Sequence, residues 1–446
     1  MIEIPNTASQ ILKALELGGY EAYVVGGCVR DSLLGKTPHD WDICTSALPH
    51  QTIACLCGYH TIETGIQHGT VTVVIDKNVC YEVTTFRQDG TYSDHRRPDR
   101  VEFVRSLRED LKRRDFTINA MAYHPQKGLI DAFDGQADLK RGVIRCVGEP
   151  ARRFEEDALR ILRALRFASV YEFSLEHETA QAATNLRHLL CSIAGERIRD
   201  ELCKLLCGQN AGVMLSSFTS IFCEFLPELN GLLALNSKQS NQPNPWDATV
   251  QSVANAPAKP ILRLAMLFHE IGKPFRFTHE IDGIPRYYGH AQKSAALART
   301  ILRRLRFDNA SISKITQLIG LHETAVVPTE VCIRRQLSRL GSEQLRRLFQ
   351  IKKALIASQP SDRKTDSLFV LEQAERTLNH ILEQKQCYRL KNLAVTGREL
   401  IAAGMPQGAQ IGKVLRTLLR LVIDGKLENR RECLLAYCQK EGWIAS

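Results

Sequence analysis

The chain has 446 residues, 44% of them hydrophobic and 24% charged, and its 59 Lys and Arg against 49 Asp and Glu leave a formal charge of +10. Such a composition buries sizeable cores over two to four domains, which excludes a disordered chain, a collagen or a small disulfide scaffold. No apolar run approaches the roughly 18 residues of a membrane span, Met1 to Asn6 lacks a basic start followed by an apolar stretch, and the 14 scattered cysteines form no CxxC, so a cytoplasmic chain with reduced thiols is expected.

In chain order, Thr7 to Leu17 reads as a capped amphipathic helix and EAYVV as a strand closed by Gly26-Gly27, a turn where a phosphate can approach the backbone. CVRDSLLG has helical apolar spacing with a stop at Gly35. DWDICT follows as a strand, and TVTVVID with CYEVTTF reads as a hairpin around Asp76-Lys77-Asn78. The polar stretch between Asp89 and Arg100 reads as a mobile loop. From about Leu139 the β-branched alternation gives way to Leu/Ala/Arg/Glu segments of 3.6-residue period. The breaks in that helical remainder are Asn236 to Pro260 and Pro360 to Lys364. The fold class expected is α+β: a small mixed β-sheet head followed by an elongated all-helical neck, body and tail.

The sharpest chemical signal is Asp40-Trp41-Asp42. Side chains two apart on a strand share a face, so both carboxylates converge, and hard oxygen ligands suit Mg²⁺. A bare DxD also fits a solvated loop. Glu82 in YEVTTF brings a third carboxylate if its strand lies beside DWDICT, and equally fits an edge strand facing solvent. In EEDALRILRALRFA, Ala158, Ile161, Leu162 and Leu165 form an apolar stripe, leaving Asp157 and Arg160 as neighbours at i and i+3. An Asp acceptor beside an Arg fork can match the amine-bearing edge of cytosine or adenine; a surface ion pair would look the same. Arg163 and Arg166 continue the spacing, and nine residues of helix span roughly 14 Å, about the reach from base to triphosphate. Steps of three drift around a helix, however, so Asp157 and Arg166 would face nearly opposite sides. The basic residues concentrate in Arg87 to Arg114, Arg152 to Arg166 and Arg334 to Arg347, compatible with a polyanionic partner.

VVGGCVRD with HDWDICT, TTFRQDGTYSDHRRPDRVEF, RRDFTINAMA, DAFDGQADL, EEDALRILRALRFA and GERIRDEL together resemble the class II tRNA nucleotidyltransferase and bacterial poly(A) polymerase family across about the first 200 residues. The resemblance implies that Gly27 and Arg30 contact nucleotide phosphates and that Asp40 and Asp42 bind catalytic metal; Glu82 is added as a third metal acid on the strand pattern alone. It places Arg114, Asp115, Arg163 and Arg166 against the nucleotide, Asp115 accepting from the ribose 2′-hydroxyl. Asn119 reads as a hydrogen-bonding turn residue, and Gly135 as backbone freedom in the connector. A flexible loop before Arg100 accompanies addition of the final adenosine in that family. The implied division is a nucleotidyltransferase head at 1–138, a base-reading neck at 139–230, a helical body at 231–365 and a tRNA-contacting tail at 366–446.

LFHEIGKP resembles an HD-domain signature, but Glu270 stands where Asp is usual and Gln251 where His is usual. Gln is a poor transition-metal ligand, so a helical scaffold is expected there rather than a second active site, with His290 and His322 still available as ligands. The tail resembles that of the same nucleotidyltransferases, with Lys413, Arg416 and Arg420 recurring along one helix. The expected activity is template-independent addition of CCA to the 3′ end of tRNA from CTP and ATP, with Mg²⁺ as cofactor and neither a membrane nor an obligate protein partner. A poly(A) polymerase, a CC-adding or A-adding member, and an HD phosphohydrolase are the alternatives.

Overall fold

The computed structural model describes residues 2–76, 79–90, 101–235, 244–276, 287–358 and 364–444. The chain divides into two compact units. The first runs to Asn230 and takes in Arg303–Phe307; the second holds the rest.

In the first unit, α1 (Asn6–Leu17) buries Ala8, Ile11, Leu12 and Leu15, one apolar face of a 3.6-residue period. The expected capping side chain is absent: Pro5 precedes the helix, and the Thr7 hydroxyl instead lies 2.6 Å from that of Tyr81. β1 (Ala22–Val25) leads into α2 (Gly27–Leu33) and then β2 (Asp42–Thr45). α3 (Pro49–Cys55), β3 (His60–Ile62), β4 (Thr70–Val74) and β5 (Cys80–Thr85) follow, with β4 and β5 paired antiparallel as the sequence predicts; Lys77 and Asn78 at the turn lie outside the described residues. β6 (Arg87–Asp89) and β7 (Val101–Phe103) form a separate ribbon flanking the predicted loop, itself outside the described residues. After α4 (Leu107–Lys112) come β8 (Met121–His124) and β9 (Gly128–Asp131).

Among the described residues seven strands form one mixed sheet in the order β3-β4-β5-β2-β1-β8-β9. β2 is central, antiparallel to β1 and parallel to β5. Tyr23, Val25, Cys44, Phe86, Leu107, Leu111, Ala120, Ala122 and Val147 pack together beneath it.

α5 (Gly135–Arg141) leads toward the helical part. Gly135 does not have the left-handed backbone that conformational freedom would exploit; its constraint is proximity, because a Cβ there would lie 2.2 Å from the Thr117 carbonyl oxygen. Then come α6 (Pro150–Glu156), α7 (Leu159–Tyr171), α8 (His177–Asn185) and α9 (Gly195–Leu206). The segment read as one neck helix is therefore two, broken where Asp157 takes an extended backbone (φ −141°, ψ 101°). α7 is buried along Ile161, Leu162, Leu165 and Ala168, and packs on α9.

The second unit is helical. The stretch read as a linker from Asn236 contains a helix at Pro245–Asn255; its periodicity is carried by Trp246, Thr249, Val250 and Val253, all buried, and Asn244 caps it by accepting from the Trp246 N–H at 2.8 Å. The following helix, Pro260–Phe268, is buried from Leu262 through Phe268 and packs against Asn309–Leu321 and Ser342–Ala357. A separate C-terminal core gathers Leu393, Leu400, Val414, Leu418, Val422, Leu434 and Cys438. No described helix is long and apolar enough to cross a membrane.

Gly135→Ala should destabilise the folded chain by about 1–3 kcal/mol, since the backbone carbonyl it meets cannot rotate away as a side chain could. Gly58→Ala, with nothing within 4 Å of its Cβ, should stay within about 0.5 kcal/mol. Chemical unfolding of the two variants side by side checks the difference.

Candidate active site

β2 and β5 pair in parallel with Asp42 directly opposite Glu82. Both side chains lie on the exposed face, while their neighbours Trp41, Ile43, Tyr81 and Val83 are buried on the other. Asp40 and Trp41 precede the strand rather than belonging to it, but the alternation holds through them, so Asp40 is exposed like Asp42. Among the described residues none of the three carboxylates has a hydrogen-bond or ion-pair partner. Asp42 is held above the usual carboxylate range by burial among protein atoms and by the charges of Glu82 and Asp40, against the pull of Arg114. An unpartnered, all-oxygen set with mutual repulsion is donor chemistry that suits a hard divalent cation.

Beside these acids, Gly26 takes φ +82° and its N–H donates to the Met121 carbonyl, so β1 turns into α2 over the end of β8. A Cβ at Gly26 would come within 2.9 Å of an Arg114 guanidinium nitrogen. Arg114 leans on Asp110, a fully buried carboxylate that also accepts from the Arg113 side chain at 2.8 and 3.0 Å and from the Arg87 N–H at 3.3 Å. The pull of Arg113 and Arg114 outweighs burial and keeps Asp110 below its usual value. Asp110 is absent from the sequence-derived candidates, although its spacing of three and four to Arg113 and Arg114 is a legible signal.

Arg30, Asn119, Asp115 and Arg163 form a continuous polar chain. Arg30 donates to the Asn119 side-chain oxygen at 2.5 Å, and Asn119 donates to Asp115 at 3.0 Å. Asp115 accepts from the Phe116 N–H at 2.8 Å and twice from Arg163, at 2.9 and 2.5 Å. Although burial alone would raise it, the Arg163 guanidinium and these hydrogen bonds hold Asp115 far below the usual carboxylate range. Its four acceptor directions are thus taken by the chain itself, and a ribose hydroxyl reaches Asp115 only by displacing a donor. Arg30 also pairs with Asp31 at 2.9 Å and lies over the rings of Phe167 and Tyr171 at 5.2 and 4.8 Å. Gly27, which opens α2, is close enough to Arg30 that a Cβ would sit 3.5 Å from its guanidinium.

Asp157 and Arg160 stay one turn apart, the Arg160 N–H donating to the Asp157 carbonyl at 2.9 Å, but their side chains take other partners. Asp157 accepts from the Leu159 N–H at 3.1 Å and pairs with Arg197 of α9 at 2.9 Å. Arg160 pairs with Glu156 at 2.8 Å and donates to the Arg113 carbonyl at 3.1 Å. Arg166 meets Glu201 of α9 at 2.6 Å, one turn on from the Arg197 that holds Asp157, while stacking over Phe167 at 4.0 Å; because Asp157 lies outside α7, the drift of three-residue steps does not set its direction.

A family profile described as the poly A polymerase head domain matches residues 22–145, one described as a probable RNA and SrmB-binding site of polymerase A matches 172–232, and one described as tRNA nucleotidyltransferase domain 2 matches 277–438. The CCA-adding enzyme of Levilactobacillus brevis is 36% identical over 435 residues, covering 96% of each chain. The chain belongs to the CCA-adding enzyme family. The Enterococcus faecalis CCA-adding enzyme is 34% identical over 98% of this chain and 97% of its own. The Bacillus stearothermophilus CCA-adding enzyme in complex with CTP superposes with TM-score 0.71 at 31% identity, covering 98% of this chain and 96% of that one. These enzymes are tRNA nucleotidyltransferases, a family that typically uses a divalent metal.

A carboxyl held below its unfolded value binds its proton more weakly in the folded chain. Its stabilisation is therefore complete above the unfolded pKa of about 3.9 and is lost as pH falls toward the folded value. Asp115→Asn, which leaves Arg163 without its main counter-charge, should cost about 3 kcal/mol at pH 7. That deficit should be flat down to about pH 5 and shrink below about pH 4, as measured by denaturant unfolding at each pH.

Proposed function

We propose that this chain adds cytidine, cytidine and adenosine in turn to the 3′ end of tRNA, without a nucleic-acid template, using CTP and ATP and releasing pyrophosphate. The observation that carries this reading is the face of three unpartnered carboxylates, Asp40, Asp42 and Glu82, in a chain matched end to end by CCA-adding enzymes. We assign the metal as Mg²⁺, in keeping with an all-oxygen donor set. When bound, it would favour the ionised form of the tRNA 3′-hydroxyl and neutralise charge on the departing pyrophosphate.

The residues of the chain position the reactants. Asp40 and Asp42 hold the charge at the reacting phosphate, with Glu82 beside them. The backbone at Gly27 and the guanidinium of Arg30 face the triphosphate, and Arg114 adds positive charge next to Asp42. Asp115, locked by Arg163 and Asn119, marks the sugar side. Asp157 and Arg160 read the base edge, each aimed by its own partner, Arg197 and Glu156, rather than by the other. Arg163 and Arg166 complete the nucleotide-facing row. The head is assigned to 1–138, the neck to 139–230, the body to 231–365 and the tail to 366–446. Arg416 and Arg420 are exposed on helix Ala409–Ile423 and line a shallow pocket with Arg335, a surface we assign to the tRNA backbone. All fourteen cysteines are free thiols, in keeping with the cytoplasm.

The test offers tRNA lacking its 3′ CCA with CTP, ATP or both, and sequences the products. Ends extended by CCA and then halted are expected; long adenosine tails from ATP alone would reassign the chain to poly(A) synthesis, and a halt at CC would make it a CC-adding member. Asp40→Ala and Asp42→Ala should each fall below a tenth of wild-type turnover for both nucleotides while tRNA binding persists, because every transfer uses the same acids.

Asp157→Ala should erode discrimination of CTP and ATP against UTP and GTP, since no buried acceptor then goes unpaired when the wrong base enters. Arg197→Ala, which frees the Asp157 carboxylate from its anchor, should do so as well. Values of kcat/KM for all four nucleotides report this directly, and ratios that stay at wild type in both variants would rule out base reading by Asp157.

A further inference from the structure

Arg114 stands beside Asp42 without pairing with it. Its charge is the strongest acting on Asp42, ahead of those of Glu82 and Asp40, yet among the described residues no ion pair joins the two. A guanidinium next to an unpartnered carboxylate closes on it unless something holds it back.

The restraint is Asp110 of α4, whose carboxylate is fully buried and divides its two oxygens between two tasks. Oδ1 is anchored three times, by Arg113 Nε and Nη2 at 3.0 and 2.8 Å and by the Arg87 N–H at 3.3 Å. Arg113 in turn lies 3.9 Å from Asp89, and Arg87 and Asp89 both belong to β6, so these contacts fix the carboxylate plane against the β6–β7 ribbon. Oδ2 is left to take Arg114 Nη2, at 3.4 Å. On the other side of the guanidinium, Nη1 lies against the backbone of Gly26, where a Cβ would come within 2.9 Å of it. The charges agree with this geometry: although burial opposes its ionisation, Arg114 is held above its ordinary pKa by Asp110 more than by Asp42. Among the described residues the Arg114 Nε has no hydrogen-bond partner, so the fork is not saturated by Asp110.

We propose that Asp110 is a positioning residue that holds the Arg114 guanidinium off Asp42, keeping the acid open for a divalent cation and the arginine open for the nucleotide triphosphate. This role rests on the placing of Asp42 and Arg114 in the function proposed above. Asp110, being fully buried, touches neither metal nor nucleotide and acts only through Arg114. Without it, Asp42 becomes the nearest remaining counter-charge for Arg114, and one misplaced side chain then disables two groups. Removing Arg114 as well clears the obstruction. A general structural role has no such reversal, because two independent losses add.

The test measures CTP binding to the full chain in Mg²⁺ without tRNA, by isothermal titration. Arg114→Ala should weaken binding, and Asp110→Asn should weaken it further, to at least about tenfold below wild type, since the arginine then both leaves the triphosphate and covers Asp42. The double variant Asp110→Asn/Arg114→Ala should return to the affinity of Arg114→Ala alone and so bind CTP more tightly than Asp110→Asn. If Asp110→Asn fails to fold by circular dichroism, Asp110→Ser takes its place with the same order expected. Wild-type affinity in a folded Asp110 variant, or a double variant that binds no tighter than the Asp110 single, overturns the positioning role. Because tRNA is absent, the order of these affinities is independent of which nucleotides the chain adds to it, and failure of either test leaves the other standing.

Discussion

The buried carboxylate of Asp115 is the point on which the first unit depends. It stands between a short turn of the sheet-bearing head and helix α7, and it is stable as an anion only because Arg163, Asn119 and a backbone N–H all donate to it. Through Asn119 the same chain reaches Arg30 at the start of the head, whose guanidinium rests on Phe167 and Tyr171 of α7. The sheet and α7 are thereby joined by one satisfied polar network. Removing any member leaves a buried charge or amide without a partner, a larger penalty than the net gain of a single hydrogen bond.

Arginine is used here mainly as an internal fastener. The runs that look like polyanion-binding patches include Arg113 on Asp110, Arg153 and Arg160 on Glu156, Arg163 on Asp115 and Arg166 on Glu201, and Arg197 outside them is spent in the same way on Asp157. A planar fork with five donors suits that work better than a lysine ammonium. Exposed cations also recur on helix Ala409–Ile423, at Lys413, Arg416 and Arg420.

The two charge clusters of the chain contrast in chemistry. Asp40, Asp42 and Glu82 are exposed, unpartnered oxygens on or next to two interior strands of a sheet. His269, Glu270, His290 and His322 are buried, with three imidazoles brought to one carboxylate oxygen.

Local signals were sufficient wherever function resides in a contiguous motif. The alternation around Trp41, the glycine pair after EAYVV and the 3.6-residue stripe of Ile161, Leu162 and Leu165 set faces and turns by short-range sterics and apolar patterning, which a sequence displays openly. Glu82 could be read from the sequence only as one of two alternatives, beside DWDICT or on an edge strand facing solvent. Tertiary structure alone decided that Asp42 lies opposite Glu82, that Asp157 ends one helix and is held by Arg197 forty residues later, that Gly135 is pressed against a carbonyl, and that three histidines spread over more than fifty residues meet at one oxygen. The helix at Pro245–Asn255 was hidden for the opposite reason, since its Asn- and Pro-rich approach reads as a loop while Trp246 and Val253 gain their meaning only from the core they enter. Pairing partners of a buried charge are chosen by what folding brings within reach, and spacing along the chain carries no record of that choice.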